Sequence, residues 1–135
     1  MYGGGLRAER RSDWHGWDAF ARSELALAGV NYRDEVPNDR FVRLRQGFDL
    51  SRGIGWRIRD REAELGLYAI FDMVLDPPTE PVNGKTGESI QAEFGFTLAT
   101  RPRYRIWRFD VPRLGFGYRL AGTLSGWRFV IGTPF

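Results

Sequence analysis

Residues 41–59 read FVRLRQGFDLSRGIGWRIR. Val42, Leu44, Phe48, Leu50, Ile54, Trp56 and Ile58 fall on one side of an extended chain. Arg43, Arg45, Gly47, Asp49, Ser51, Gly53, Gly55, Arg57 and Arg59 fall on the other. A period of two over this length is a strand pattern and does not suit a helix. It also outruns the usual soluble strand of about 5–6 residues. Two polar residues, Gln46 and Arg52, interrupt the apolar side.

The next residues extend the pattern. Arg59-Asp60-Arg61-Glu62 reads as a tight turn. Ala63, Leu65, Leu67, Ala69, Phe71, Met73 and Leu75 then alternate with Glu62, Glu64, Gly66, Tyr68, Ile70, Asp72 and Val74. The two stretches predict a long antiparallel hairpin, with a turn at Asp60 that brings Arg57 near Glu64. Downstream, residues 76–87 (DPPTEPVNGKTG) form a polar loop broken by three prolines and an Asn-Gly pair. Residues 89–100 resume the alternation through Ile90, Ala92, Phe94, Phe96 and Leu98. Parity slips by one at Pro112, as a turn or bulge would cause. Leu114 to Leu120 and a terminal stretch, GWRFVIGTPF from Gly126 to Phe135, predict the last two strands. On the terminal stretch Trp127, Phe129, Ile131, Thr133 and Phe135 share one side.

Upstream the pattern is less sharp. Residues 18–32 fit a helix face through Phe20, Leu25, Leu27 and Val30, or a strand face through Ala19, Ala21, Leu25 and Leu27. The β-rich surroundings favour the strand. Ser12 to Trp17 is turn-like, and residues 33–40 form a polar loop around Pro37. The strand count is six, rising to eight if residues 3–10 and 104–110 also pair. The expected class is all-β: an antiparallel up-and-down barrel of about eight strands in one domain, or the C-terminal part of a larger barrel.

Composition narrows the function. The chain has 135 residues, a formal charge of +3, no cysteine, and 19 arginines beside the single Lys85. The arginines are interspersed with acids, so the clustered basic footprint of a nucleic-acid binder is missing. No thiolate metal site or disulfide framework can form. His15 is the sole histidine, which leaves nothing from which to assemble a histidine-based zinc site or a credible triad. Gly3-Gly4-Gly5 and residues 53–56 lack the spacing and following helix of a phosphate loop. No catalytic residue, cofactor or metal is expected, and a lipid-modifying enzyme lacks a catalytic set. No apolar stretch reaches the ~20 residues of a transmembrane helix. Met1 to Arg7 carries no apolar run of a signal peptide.

Alternation does not by itself say which face is dry. In a soluble barrel the apolar side is the core, here lined by Leu44, Phe48, Leu67, Phe94 and Phe116, and suited to a small apolar ligand. In a membrane barrel that side meets lipid and the polar side fills the lumen. Glycines 53, 55, 66, 95, 115 and 117 on the polar side suit a crowded narrow interior. Trp56, Phe71, Trp107, Tyr118 and Trp127 suit an interfacial girdle. Against lipid stands Arg52, which costs roughly 2–4 kcal/mol at a bilayer midplane and about 0–1 near the interface. The expected lumen network joins Arg43, Arg45, Arg57, Glu62, Glu64, Asp72, Glu93 and Arg119. A plug of ion pairs is favoured over an open pore, because about eight strands leave an interior that side chains fill.

The closing LGFGYRL (Leu114 to Leu120) and GWRFVIGTPF, ending on an aromatic, resemble the last hairpin of bacterial outer-membrane β-barrels. They look most like the solitary autotransporter-type barrels, and the match covers about the last 25 residues. The resemblance implies insertion in the bacterial outer membrane, with lipid and the barrel-assembly machinery as partners. It also implies an assembly signal in Trp127, Phe129, Ile131 and Phe135, and no catalytic residues.

Overall fold

The computed structural model describes residues 2–30, 39–75, 90–103, 105–106, 109–122 and 124–135. The chain is all-β. Its strands are β1 (Tyr2–Trp14), β2 (Trp17–Val30), β3 (Asp39–Ile58), β4 (Arg61–Leu75), β5 (Ile90–Arg101), β6 (Arg105–Ile106), β7 (Phe109–Asp110), β8 (Leu114–Ala121) and β9 (Leu124–Ile131). Seven of them form one antiparallel sheet in the order β1-β2-β3-β4-β5-β8-β9. The ambiguous region 18–32 is therefore strand where it is described. Among the described residues the sheet of seven strands is not closed into a barrel, so the all-β antiparallel class is what the structure shows. Of the region 104–110, the described residues form β6 and β7, which pair with each other in a separate two-stranded sheet and, among the described residues, do not join the seven-stranded one. The predicted loop 76–87 and Trp107 lie outside the described residues.

Local chemistry explains the hairpins. His15 and Gly16 both have positive φ (52° and 79°), as do Arg59 and Asp60 (46° and 63°). Two-residue turns of that kind match the twist of the strands they join. The β3–β4 turn is thus two residues, shorter than the sequence suggests. The ladder also shifts between Gly53 and Arg57, where Gly55 has φ of 73°. Arg57 faces Glu62 on the turn side of the shift, and Gly53 faces Glu64 beyond it. The expected approach of Arg57 to Glu64 fails because the two-residue turn pairs Ile58 with Arg61 and so Arg57 with Glu62, while the bulge sets Gly53, in place of Gly55, opposite Glu64.

Register fixes the two faces. One rung runs Ser12, Ala19, Leu50, Leu67, Phe96, Phe116 and Phe129. The rung beside it runs Asp13, Asp18, Ser51, Gly66, Thr97, Gly115 and Val130. The first type of rung is exposed at its large apolar side chains, including Phe48, Leu67, Phe94, Phe96 and Phe116. The second holds the buried residues: Asp49, Ser51, Glu64, Tyr68, Ile70, Glu93, Thr97 and Val130. The apolar face is therefore the outside of the curled sheet, and the polar face is its interior. Leu44, Phe48, Leu67, Phe94 and Phe116 line no core.

Candidate functional site: a charged concave face

The concave face holds two ion clusters. In the first, Arg113 stands just before β8 with its side chain 7% exposed. Its guanidinium donates to Asp49 at 2.6 Å and to Glu64 at 2.5 and 3.1 Å. Arg101, at the end of β5, donates to the other Glu64 oxygen and to Asp18. Four strands thus converge through two arginines. Burial alone would lower the pKa of Arg113, but Asp49 and Glu64 outweigh it and hold the group above its ordinary value. It stays charged, as a buried fork facing two carboxylates should. The Arg113 backbone is fixed too, since its carbonyl accepts the Gly132 N–H at 2.7 Å.

The second cluster surrounds Glu93, which is 2% exposed. Tyr68 donates its hydroxyl to Glu93 at 2.9 Å. Arg119 donates at 3.0 and 3.2 Å, and Arg128 at 2.9 and 3.1 Å. Glycine makes this possible. The Tyr68 side chain crosses Gly95 and Gly117, where an added Cβ would collide with its ring and hydroxyl. Small residues inside the sheet are therefore the space that large neighbours occupy.

The expected network separates into parts. Glu64 belongs to the first cluster, and Glu93 with Arg119 to the second. Asp72 pairs with Arg43 through both carboxylate oxygens. Arg45 faces Asp72 in the ladder, but its Nε is buried without a hydrogen-bond partner among the described residues. Arg57 and Glu62 are exposed at the rim, where the Glu62 carboxylate lies over Gly53. Sequence reasoning omitted Asp18, Asp49, Tyr68, Arg101, Arg113 and Arg128 from the network. Strand parity could have found Asp49, Tyr68 and Arg128. It could not have found Arg113, which lies outside any strand.

The terminal residues also divide. Trp127, Phe129 and Ile131 stay on the outer face, 75%, 57% and 66% exposed. Phe135 does not join them, contrary to the alternation. Gly132 has φ of 93°, a conformation that suits glycine, and strand β9 ends at Ile131. Residues 133–135 leave the ladder and Phe135 turns onto the concave face. Its ring stacks on Phe20 with centroids 5.8 Å apart and planes 3° apart. It also covers Gly47, where a Cβ would sit 2.6 Å from the ring. Arg22 lies 5.6 Å from the Phe135 centroid.

The outward polar residues have partners as well. Ser23 donates its hydroxyl to Gln46. Arg52 stands over Trp17 at 6.0 Å and shares a rung with Leu65, Leu98, Leu114 and Ile131. Of the expected girdle, Trp56 is exposed at the bulge, whereas Phe71 lies well inside β4 and meets Phe94 edge-on at 5.5 Å. Among the described residues no group of three or more acids and histidines could hold a metal. No protein-family model matches the sequence, and no curated protein and no solved structure matches the chain.

Proposed function

We propose that this chain is a bacterial outer-membrane β-barrel protein or the C-terminal part of one. Its convex face meets lipid, and its concave face is a plug of ion pairs. Its role is structural or one of surface interaction, without catalysis. The observation that carries this reading is the inverted burial: aromatic and aliphatic side chains face outward while Asp49, Glu64, Glu93 and Arg113 are buried. In water this arrangement forgoes roughly 1.5–3 kcal/mol for each large apolar side chain that could be fully buried. It also takes on the desolvation of every interior ion. In a bilayer the outer face contributes favourably and the interior ions pair with one another.

Dimensions agree with that solvent. The outer rungs from Val42 to Arg52 extend about 33 Å along the strand. At the roughly 40° tilt of outer-membrane strands this becomes about 25 Å, the height of their apolar band. Arg52 and the Trp14–Trp17 pair then lie at one edge of the band, where a charge and indole rings are tolerated. Arg113 and Glu93 bridge strands across the interior, which favours a plug over a continuous pore.

The reading is tested by diluting urea-unfolded protein into detergent micelles and, separately, into plain buffer. A compact band that shifts on boiling, seen only in micelles, is expected. A cooperatively folded monomer in plain buffer would overturn the proposal.

A further inference from the structure

At one end the concave face opens into a hollow of about 770 Å³, where β1 turns into β2, where β5 ends and where the chain leaves β9. That size lies within the roughly 300–1,000 Å³ of small-molecule sites. Five arginines line it: Arg11, Arg22, Arg101, Arg103 and Arg113. Against them stand three carboxylates, Asp18, Asp49 and Glu64. All three are already engaged, since Arg113 holds Asp49 and Glu64 while Arg101 holds Glu64 and Asp18. Arg22 is engaged too, by Glu9 at 2.9 Å.

Arg11 and Arg103 remain, and neither meets a carboxylate among the described residues. The Arg11 guanidinium lies 5.3 Å from the Phe20 centroid. An aromatic ring attracts that charge but offers no lone pair to its N–H donors. Arg103 is held by its backbone instead. Arg61 donates to the Pro102 carbonyl at 3.4 Å and to the Arg103 carbonyl, so the segment after β5 is fixed while the Arg103 side chain keeps its donors. Two guanidinium forks without counter-charge therefore face one hollow. Ser51 and Thr133 line the same space with hydroxyls. The Ser51 oxygen accepts from Arg101 at 3.4 Å, which leaves its proton to donate.

We propose that this hollow binds a phosphate monoester, with Arg11 and Arg103 taking the phosphoryl oxygens. Such an ester carries about 1.5 to 2 negative charges near neutrality, which matches the two uncompensated cations. Arginine forks fit phosphate bidentately, and the third terminal oxygen can accept from Ser51 or Thr133. The volume left over takes the organic part of the ester. The phosphoryl group is the part recognised, whether a soluble ester or a lipid headgroup carries it. The proposal does not depend on the membrane reading, because the hollow belongs to the concave face whichever solvent meets the convex one.

The chain is folded in whichever of maltoside micelles or plain buffer supports it, without phosphate and at low ionic strength. It is then titrated in a calorimeter with glycerol phosphate and, separately, with lysophosphatidic acid; glycerol serves as the blank. Saturable binding at one site is expected, with Kd below about 1 mM. Glycerol phosphate binding assigns a soluble ester, and binding of lysophosphatidic acid alone assigns a lipid headgroup; either supports the site. Arg11→Gln and Arg103→Gln should each weaken binding about tenfold, as loss of a charge-assisted hydrogen bond does. Their urea midpoints should not move, because neither side chain supports an ion cluster. Should a glutamine variant fail to fold, Arg11→Lys and Arg103→Lys decide. They keep the charge but lose the fork, and should weaken binding by about threefold or more. Arg105→Gln removes one charge at the same end, but from an arginine paired with Asp110 at 3.1 Å, and should leave the affinity unchanged. Absence of saturable binding with both esters would overturn the proposal. So would an affinity indifferent to Arg11 and Arg103, or one that falls equally in Arg105→Gln.

Discussion

The two faces of this one sheet keep opposite company. On the convex face Phe48, Phe94, Phe116 and Phe129 are 44%, 47%, 44% and 57% exposed. On the concave face Glu93 and Thr97 are 2% and 0% exposed. The same backbone and the same period of two serve both. What differs is how each face satisfies its side chains. Interior ions are satisfied by one another, through forks that cross several strands. The outer apolar groups are only half covered by one another, so the free energy of the rest depends on the solvent. The contrast teaches that stability here has two separable parts, one internal and one set by the surroundings.

Breaking the interior should have the largest effect. Glu64→Ala removes the carboxylate shared by Arg113 and Arg101, leaving Arg113 buried against Asp49 alone. Loss of one partner from a buried ion cluster costs about 3–5 kcal/mol. The urea midpoint of the folded protein should fall accordingly, and a change under about 1 kcal/mol would mean that the cluster is hydrated.

The outer face is tested by Phe94→Arg, which leaves the ion clusters untouched. It should destabilise the micelle-folded protein by roughly 2–4 kcal/mol if Phe94 lies near mid-membrane. Parallel titrations in two detergents of different chain length should both show the loss. A neutral result would mean that this face meets water, and the contrast between the faces would lose its solvent.

Phe135 joins the two faces, because it follows outward residues yet packs inward. Phe135→Ala removes a half-buried ring stacked on Phe20, and a loss of about 1–2 kcal/mol is expected. Refolding in micelles should therefore suffer along with assembly in cells. Unimpaired refolding with impaired assembly would return Phe135 to the role of a terminal signal alone.

Much of this fold was legible in the sequence, for a definite reason. Side chains on a strand alternate with period two whatever the strand pairs with, so the residues of β3 and β4 declared their faces from the pattern alone. Arg43 and Asp72 could be placed on one face in the same way, as could Glu64, Glu93 and Arg119. The lack of cysteine and the single histidine limited the chemistry without reference to shape. Other features depended on distance in space. Arg113 enters the first cluster from outside any strand, and only the curl of the sheet brings it to Asp49 and Glu64. The two-residue turn at Arg59-Asp60 set Arg57 opposite Glu62, and the bulge after Gly53 then set Gly53 opposite Glu64; extra residues on one strand leave no mark in a hydropathy pattern. Gly132 turned Phe135 inward through a backbone angle that alternation cannot encode. The number of strands in the sheet, and hence the parallel sense of its two edges, followed from which segments found partners. Sequence alone determined which residues share a face, since that is local geometry; the tertiary structure decided which charges meet and which edges stay open, since those depend on curvature and register accumulated over seven strands.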